Sequence, residues 1–186
     1  MNLVAVSRKR SELMSENFLF DDDKGHIRSR LFGTRVVIYD SLIYASMYRR
    51  MFEIFKSGAI MILYETGKEA GRSYGKSLKD KIGEPQQMAG TLGRLGAASG
   101  WGKIDFSPLS LVTWTLQEKV ILKIRNNFHA EAVGQTGESS CHFIRGLFIG
   151  VFEAMFGGEF VCNESKCQSK GDSYCEFQLK RPSTGS

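Results

Sequence analysis

The sequence predicts an α+β fold, in which an antiparallel sheet built from a meander and a C-terminal hairpin packs against several helices. Two helix-like segments follow one another in the first half, strand-like segments are then grouped together, and another helix precedes a final pair of strands. This order differs from the regular alternation of strands and helices that a doubly wound parallel sheet requires. The sequence therefore favours α+β over α/β.

The composition is that of an ordinary globular protein. Of the 186 residues, 42% are hydrophobic and 24% are charged, and a chain of this length buries about 70% of its unfolded surface without needing disulfides. The net charge is +5, and the basic residues are scattered along the chain and not clustered, so no direct nucleic-acid binding is expected. The apolar runs fall short of the roughly 20 residues of a membrane helix, and no secretory signal is recognised. We expect a cytoplasmic protein without a membrane span.

Residues 1–33 are expected to form an N-terminal extension that packs on the main body or on a second copy of the chain. They mix charged residues with two short strand-like pieces, at residues 17–20 and 26–30. The main domain is assigned to residues 34–181.

The main domain begins with residues 35–39, a β-branched segment that predicts a strand. Asp40 and Ser41 then offer side chains that cap a helix N-terminus, and apolar residues at helical spacing continue to about Lys56. A second helix is predicted over residues 59–82.

Three glycines share one face of the second predicted helix. They are spaced by four residues: Gly67, Gly71 and Gly75. Each glycine costs a helix about 1 kcal/mol relative to alanine, so either close packing against another element or room for a bound ligand is expected to offset the cost. The spacing recurs at Gly146 and Gly150, and both faces could serve packing across a dimer.

The glycine-rich stretch at residues 86–102 matches neither the dinucleotide-binding fingerprint nor the phosphate-binding loop, so no phosphate role is assigned to it. An antiparallel meander is predicted from three strands: residues 101–106, 111–117 and 119–127. In the last strand Val120, Leu122 and Ile124 alternate with mostly charged positions, which is typical of a sheet with one buried face.

The remaining elements are a helix and a hairpin. A wide apolar stripe predicts a helix over residues 138–156, which Gly157 and Gly158 end. Two strands follow, at residues 159–164 and 174–180, joined by a polar loop.

All four cysteines fall near the C-terminus: Cys141, Cys162, Cys167 and Cys175. In a cytosolic chain, clustered cysteines indicate a metal site more often than disulfides, with buried free thiols as the alternative. Zinc suits thiolates and takes four tetrahedral ligands. Because a closed four-ligand site leaves no position for water, the zinc would be structural rather than catalytic.

The residues leave the fourth ligand open between Cys162 and Glu164. The two are separated by one residue on a predicted strand, so their side chains share a face. The chemistry of structural zinc sites ranks Cys162 slightly higher, because thiolates dominate such sites.

The C-terminal part resembles the 4-vinyl reductase domain family through one motif: Cys141-x22-Glu164-x2-Cys167-x7-Cys175. The resemblance is specific over residues 139–180, looser over 35–128, and does not extend to 1–33. The family includes standalone archaeal proteins and the ligand-sensing domain of phenol- and xylene-responsive activators. Its fold is similar to that of the vesicle-tethering TRAPP subunits.

The resemblance implies a zinc ion held by three cysteines and one glutamate. Carried over to this sequence, the ligands are Cys141, Glu164, Cys167 and Cys175. This favours Glu164 as the fourth ligand, with Cys162 as a core thiol on the same strand face and as the alternative.

In phenol-sensing members a histidine and a tryptophan hold the hydroxyl of the ligand. The corresponding places fall near Gly93 and Ile124, so neither polar anchor is present. A pocket would then be lined by apolar side chains: Ile124, Phe128, Phe148 and Phe152. Such a lining suits a hydrocarbon, a lipid chain or a hydrophobic cofactor; the alternative is that these side chains simply fill the core.

The resemblance implies a module that binds or senses a small hydrophobic molecule and acts through a homodimer or a separate regulatory protein. A structural dimer scaffold of the TRAPP type is one alternative. A tetrapyrrole vinyl reductase or its accessory is another, although the sequence contains no recognisable flavin or nicotinamide motif.

Overall fold

The computed structural model describes residues 14–106 and 119–182. The strands in these ranges are β1 (Phe18–Asp21), β2 (His26–Ser29), β3 (Arg35–Val36), β4 (Lys103–Asp105), β5 (Val120–Arg125), β6 (Val161–Lys166) and β7 (Cys175–Lys180). The helices are α1 (Ser41–Phe55), α2 (Gly58–Lys81), α3 (Pro85–Ala98), α4 (Phe128–Val133) and α5 (His142–Phe156), with a 3-10 turn at Gln168–Lys170. Residues 14–17 are also helical. The strand predicted at residues 111–117 lies outside the described residues.

The main sheet is antiparallel and has the order β4-β5-β7-β6. The predicted inner face of β5 is confirmed, because Val120, Leu122 and Ile124 are all buried. In the register of β5 and β7, Leu122 lies opposite Phe177 and Ile124 lies opposite Cys175. The predicted α+β class is therefore confirmed, and Cys175 begins β7, one of the two central strands.

The glycine faces of α2 and α5 pack directly against each other. A Cβ atom added at Gly67, Gly71, Gly146 or Gly150 would come closer than 3.0 Å to backbone atoms of the opposite helix. The close packing predicted for these glycines is confirmed, and they leave no room for a ligand there. The idea that they pack across a dimer is wrong, since each face meets its partner within one chain.

The N-terminal hairpin β1–β2 forms a small separate sheet with β3. Strand β3 is shorter than the predicted segment 35–39. Ile27 pairs with Val36 and Arg28 with Arg35, so a longer β3 would run past the start of β2 and lie opposite the turn before it. Residues 37–39 leave the sheet, and their side chains are exposed.

Helix α1 begins as predicted, because Asp40 Oδ1 accepts a hydrogen bond of 3.0 Å from the backbone N–H of Ile43. Only Ala45 and Tyr48 of this helix are buried. Its large exposed side chains form what we call the α1 apolar surface: Leu42, Ile43, Met47, Ile54 and Phe55.

The glycine-rich stretch forms α3, with Pro85 in its first turn. Within residues 14–106 and 119–182, every helix is too short or too polar to cross a membrane.

Candidate metal centre

The four residues of the predicted zinc motif meet in the structure. The ligand atoms of Cys141, Glu164, Cys167 and Cys175 all lie within 4.8 Å of one another. Cys141 directly precedes α5, Glu164 belongs to β6, and Cys167 and Cys175 border the loop between β6 and β7. Because β6 and β7 are neighbours in the sheet and α5 starts above them, the fold brings together residues that are distant in sequence.

The spacing of the sulfur atoms matches a tetrahedral metal site. Cys141 Sγ lies 3.9 Å from Cys167 Sγ and 3.8 Å from Cys175 Sγ. Metal–sulfur bonds of about 2.3 Å give a tetrahedron with edges of about 3.8 Å, whereas a disulfide requires an S–S distance of about 2.05 Å. All three thiols are free and fully buried.

Glu164 has a carboxylate oxygen that lacks a partner. Its Oε2 accepts a hydrogen bond of 3.2 Å from the backbone N–H of Cys141, while Oε1 is buried without a hydrogen bond. Burial, followed by the neighbouring Cys167, raises the pKa of Glu164 to about 8. A cation among the three sulfurs would give Oε1 its missing partner, so the donor set fits a metal ion.

The thiol protons are shared unequally among the three cysteines. Hydrogen bonds from Cys141 and Cys175 lower the pKa of Cys167, whereas Cys141 has a raised pKa because Cys167 and Cys175 bind its proton and burial disfavours its charge. Without a cation, three neighbouring buried thiolates would repel one another, so the cluster keeps thiol protons. A divalent cation would displace the remaining thiol protons, so metal uptake would release protons.

Asn127 is a site residue that the sequence did not reveal. Its fully buried side chain donates from Nδ2 to the Sγ atoms of Cys141 and Cys175, at 3.3 Å each. The backbone N–H of Gln168 donates to Cys175 Sγ, also at 3.3 Å. These donors stabilise thiolate sulfurs and orient them toward a common centre. The asparagine could have been recognised as the N-cap of α4, but no local pattern connects it with the cysteines.

Cys162 lies outside the cluster. It is half-buried and packs against the main core, where burial raises its pKa to about 12. The strand register separates the two candidates: Glu164 lies opposite Phe177, whereas Cys162 lies opposite Leu179, farther along β7 from Cys175. Among the described residues the geometry thus brings Glu164, and not Cys162, to the three sulfurs.

The predicted ligand-binding residues occupy two neighbouring regions. Ile124, Phe148 and Phe152 belong to the main core and are at most 4% exposed. Phe128, at the start of α4, is half-buried, and its ring centroid lies 5.0 Å from that of Tyr44 and 5.1 Å from that of Trp101.

The comparisons with known proteins agree with the sequence motif. Residues 120–181 match the profile of the V4R domain. An uncharacterized protein of Methanocaldococcus jannaschii is 28% identical over 123 residues, which cover 66% of this chain and 65% of that protein. The match thus spans just under two thirds of the relative's own length.

Solved structures share the fold. The phenol-responsive sensory domain of the transcription activator PoxR, solved with phenol, superposes with a TM-score of 0.78 and 14% identity, covering 94% of this chain and 89% of that domain. A vinyl-4-reductase family protein from Methanocaldococcus jannaschii gives a TM-score of 0.57 and 21% identity, with coverages of 79% and 84%. Trafficking protein particle complex subunit 3 from Naegleria fowleri, covalently bound to palmitic acid, gives a TM-score of 0.55 and 16% identity. This match covers 75% of this chain and 93% of that subunit. The predicted resemblance to the 4-vinyl reductase family and to TRAPP subunits is confirmed.

Proposed function

We propose that this chain is a binding module that senses or carries a small hydrophobic molecule, is stabilised by a structural zinc ion and acts as a homodimer. The observation that carries the proposal is the buried cluster of three sulfurs and one carboxylate, with sulfur separations of 3.8 and 3.9 Å. Four protein ligands complete a tetrahedral zinc shell and leave no position for a reactive water. The proposed role of the zinc is therefore to tie α5 to the β6–β7 hairpin.

The proposed ligand is apolar. The fold resembles a sensory domain that was solved with phenol and a trafficking subunit that carries palmitic acid. The places where phenol sensors are expected to carry polar anchors fall near Gly93 and Ile124, so neither anchor is expected in this chain. We therefore propose a hydrocarbon or lipid chain that enters beside the half-buried Phe128 and contacts Ile124, Phe148 and Phe152, since an apolar lining selects apolar ligands.

The proposed partner is a second copy of the chain, with a separate regulatory protein as the further recipient of the signal. The α1 apolar surface carries five large side chains that are each 49–67% exposed. Contiguous apolar patches of this kind are usually covered in the working state of a protein. A symmetric contact between two α1 helices would cover both surfaces at once.

Native mass spectrometry of protein purified without added metal is expected to show a dimer with one zinc ion per chain and an additional organic mass. The zinc follows from the closed ligand cluster, and the organic mass from an apolar ligand retained in the core. Its accurate mass identifies the ligand class. A spectrum without zinc would contradict the metal site, and organic masses confined to polar compounds would contradict the ligand class.

Replacing Met47 with glutamate is expected to convert the dimer to a monomer that keeps its zinc. A carboxylate at this position, which is 59% exposed, would be buried without a partner in a contact between two α1 helices. Arg49→Glu is the matched control on another face of the same helix and is expected to leave the dimer intact. Analytical ultracentrifugation distinguishes the two; a dimeric Met47→Glu protein would exclude this surface as the contact.

A structural dimer scaffold is the second candidate function. It is favoured by the complete burial of Ile124, Phe148 and Phe152, which already pack against neighbouring core side chains. A dimer that contains zinc but never an organic mass, even after incubation with alkanes or fatty acids, would favour the scaffold.

A further inference from the structure

We infer that Tyr44 and His129 are positioning residues for the metal centre, and that they form a hydrogen-bonded relay which couples α1 to the zinc ligands. The inference rests on the proposed metal site and assigns it a connection to the α1 apolar surface. The relay runs from the Tyr44 hydroxyl through the His129 ring to the backbone carbonyl of Ser140, the residue before Cys141.

The direction of each hydrogen bond follows from the geometry. His129 Nε2 lies 2.7 Å from the carbonyl oxygen of Ser140, which can only accept, so Nε2 carries the proton. The other ring nitrogen, Nδ1, is then an acceptor and receives the hydroxyl proton of Tyr44 at 2.6 Å. Burial lowers the pKa of His129 to about 4, which keeps the ring neutral at physiological pH. The relay therefore has a single arrangement of donors.

One end of the relay touches two segments that carry cysteine ligands. Ser140 directly precedes Cys141, and its Oγ donates to Ser169 Oγ at 2.8 Å in the turn after Cys167. Ser140 Oγ is also 3.8 Å from Cys167 Sγ. A displacement of Ser140 would therefore change the distance between the sulfur atoms of Cys141 and Cys167.

Helix α4, which carries His129, is attached to the same ligands by a second route. Asn127 caps this helix by accepting the backbone N–H of His129 at 3.1 Å, and its amide donates to Cys141 and Cys175. A rotation of α4 would thus displace the His129 ring and both thiolate contacts together. Metal ligands depend on such outer contacts for their orientation.

The other end of the relay is on α1. The rings of Phe128 and His129 pack against Tyr44, with centroid distances of 5.0 and 5.5 Å, and α4 is the element that α1 contacts most. The α1 apolar surface is open to solvent. A partner that covers it would shift or restrain α1, and Tyr44 would pass that change to Ser140. By linkage, metal occupancy would change the affinity for that partner by the same factor.

The test compares Tyr44→Phe with Tyr74→Phe in the full chain loaded with Co²⁺. The first variant removes the hydroxyl at the α1 end of the relay. The second removes the hydroxyl of Tyr74 on α2, a residue whose ring packs against Phe32. Tetrahedral cobalt–thiolate centres absorb visible light, so the spectrum reports site geometry and its decay in excess EDTA gives the release rate. We expect release about 3- to 10-fold faster in Tyr44→Phe, as for the loss of one neutral hydrogen bond, and an unchanged rate in Tyr74→Phe.

Amide hydrogen exchange of α1 gives the reciprocal measurement. In the unmodified protein, exchange in Ser41–Phe55 is expected to slow when cobalt binds; in Tyr44→Phe this difference is expected to shrink. The relay would be overturned if both variants bound cobalt and released it at equal rates, or if hydrogen exchange in α1 did not change when cobalt binds. Either result would be compatible with the proposed metal site. A protein that binds no cobalt would overturn the proposed metal site and the relay together.

Discussion

Replacing Cys167 with serine is expected to abolish stoichiometric zinc binding and to destabilise the domain by several kcal/mol. Cys167 is fully buried and is one of the four candidate ligands, so its loss would leave the site one ligand short. Apparent zinc-binding free energies in small zinc domains are about 10–16 kcal/mol, and this energy belongs to folding wherever the metal binds only the folded chain.

The physical reason for so large an effect is that the metal would supply contacts that the protein alone lacks. Without a cation, the buried Glu164 Oε1 has no hydrogen bond, and Cys141 makes only weak sulfur hydrogen bonds to Cys167 and Cys175. A serine hydroxyl is a poor zinc ligand at neutral pH, so three ligands would remain around an opened site. The ends of β6 and β7 would lose their attachment to α5.

Metal content by elemental mass spectrometry and thermal unfolding with and without a chelator measure this effect. Cys162→Ser is the matched control, because it removes a thiol from β6, the strand that Cys167 directly follows, but outside the cluster. It is expected to keep one zinc per chain and to unfold within a few degrees of the unmodified protein. Full zinc content and unchanged unfolding in Cys167→Ser would show that Cys167 is not a zinc ligand and would contradict the proposed site.

Replacing Gly150 with alanine is expected to cost about 3 kcal/mol or more, as severe overpacking does. The new Cβ would come closer than 3.0 Å to the backbone of α2 at Lys68 and Arg72. Backbone atoms cannot rotate away, so α2 and α5 would have to separate along their length. The helix propensity gained by alanine, about 1 kcal/mol, is too small to compensate.

Gly90→Ala provides the control in α3. The nearest atom to its added Cβ is the flexible end of Arg94 at 3.5 Å, so this substitution is expected to stabilise the protein by up to about 1 kcal/mol. Urea unfolding of the two variants measures the contrast. Equal stability of Gly150→Ala and Gly90→Ala would show that the two helices are less closely packed than in this structure.

The elements that the sequence predicted well are those whose causes are local. The cap at Asp40, the glycine spacing in α2 and the alternation in β5 each depend on residues within a few positions, and each is confirmed. The length of β3 was overestimated because β-branched residues indicate an extended conformation but not whether a partner strand continues beside them.

The site was predictable only where one motif carried long-range information. Residue chemistry alone favoured Cys162, whereas the family motif favoured Glu164, and the strand register places Glu164 nearer to Cys175. Asn127 and His129 were missed because their partners, Cys175 and Tyr44, are far away in sequence. An isolated asparagine or histidine carries no mark of such contacts.

The glycine seam between α2 and α5 also bears on the order of events during folding. It joins residue 67 to residue 143, so the chain between them must close a long loop before the contact can stabilise anything, and such closures slow folding. Cys141 lies at the start of α5 and reaches its place only once that helix has docked. A zinc ion at the proposed site would therefore complete its coordination late, because a chain in which α5 has not docked offers only the hairpin ligands Glu164, Cys167 and Cys175.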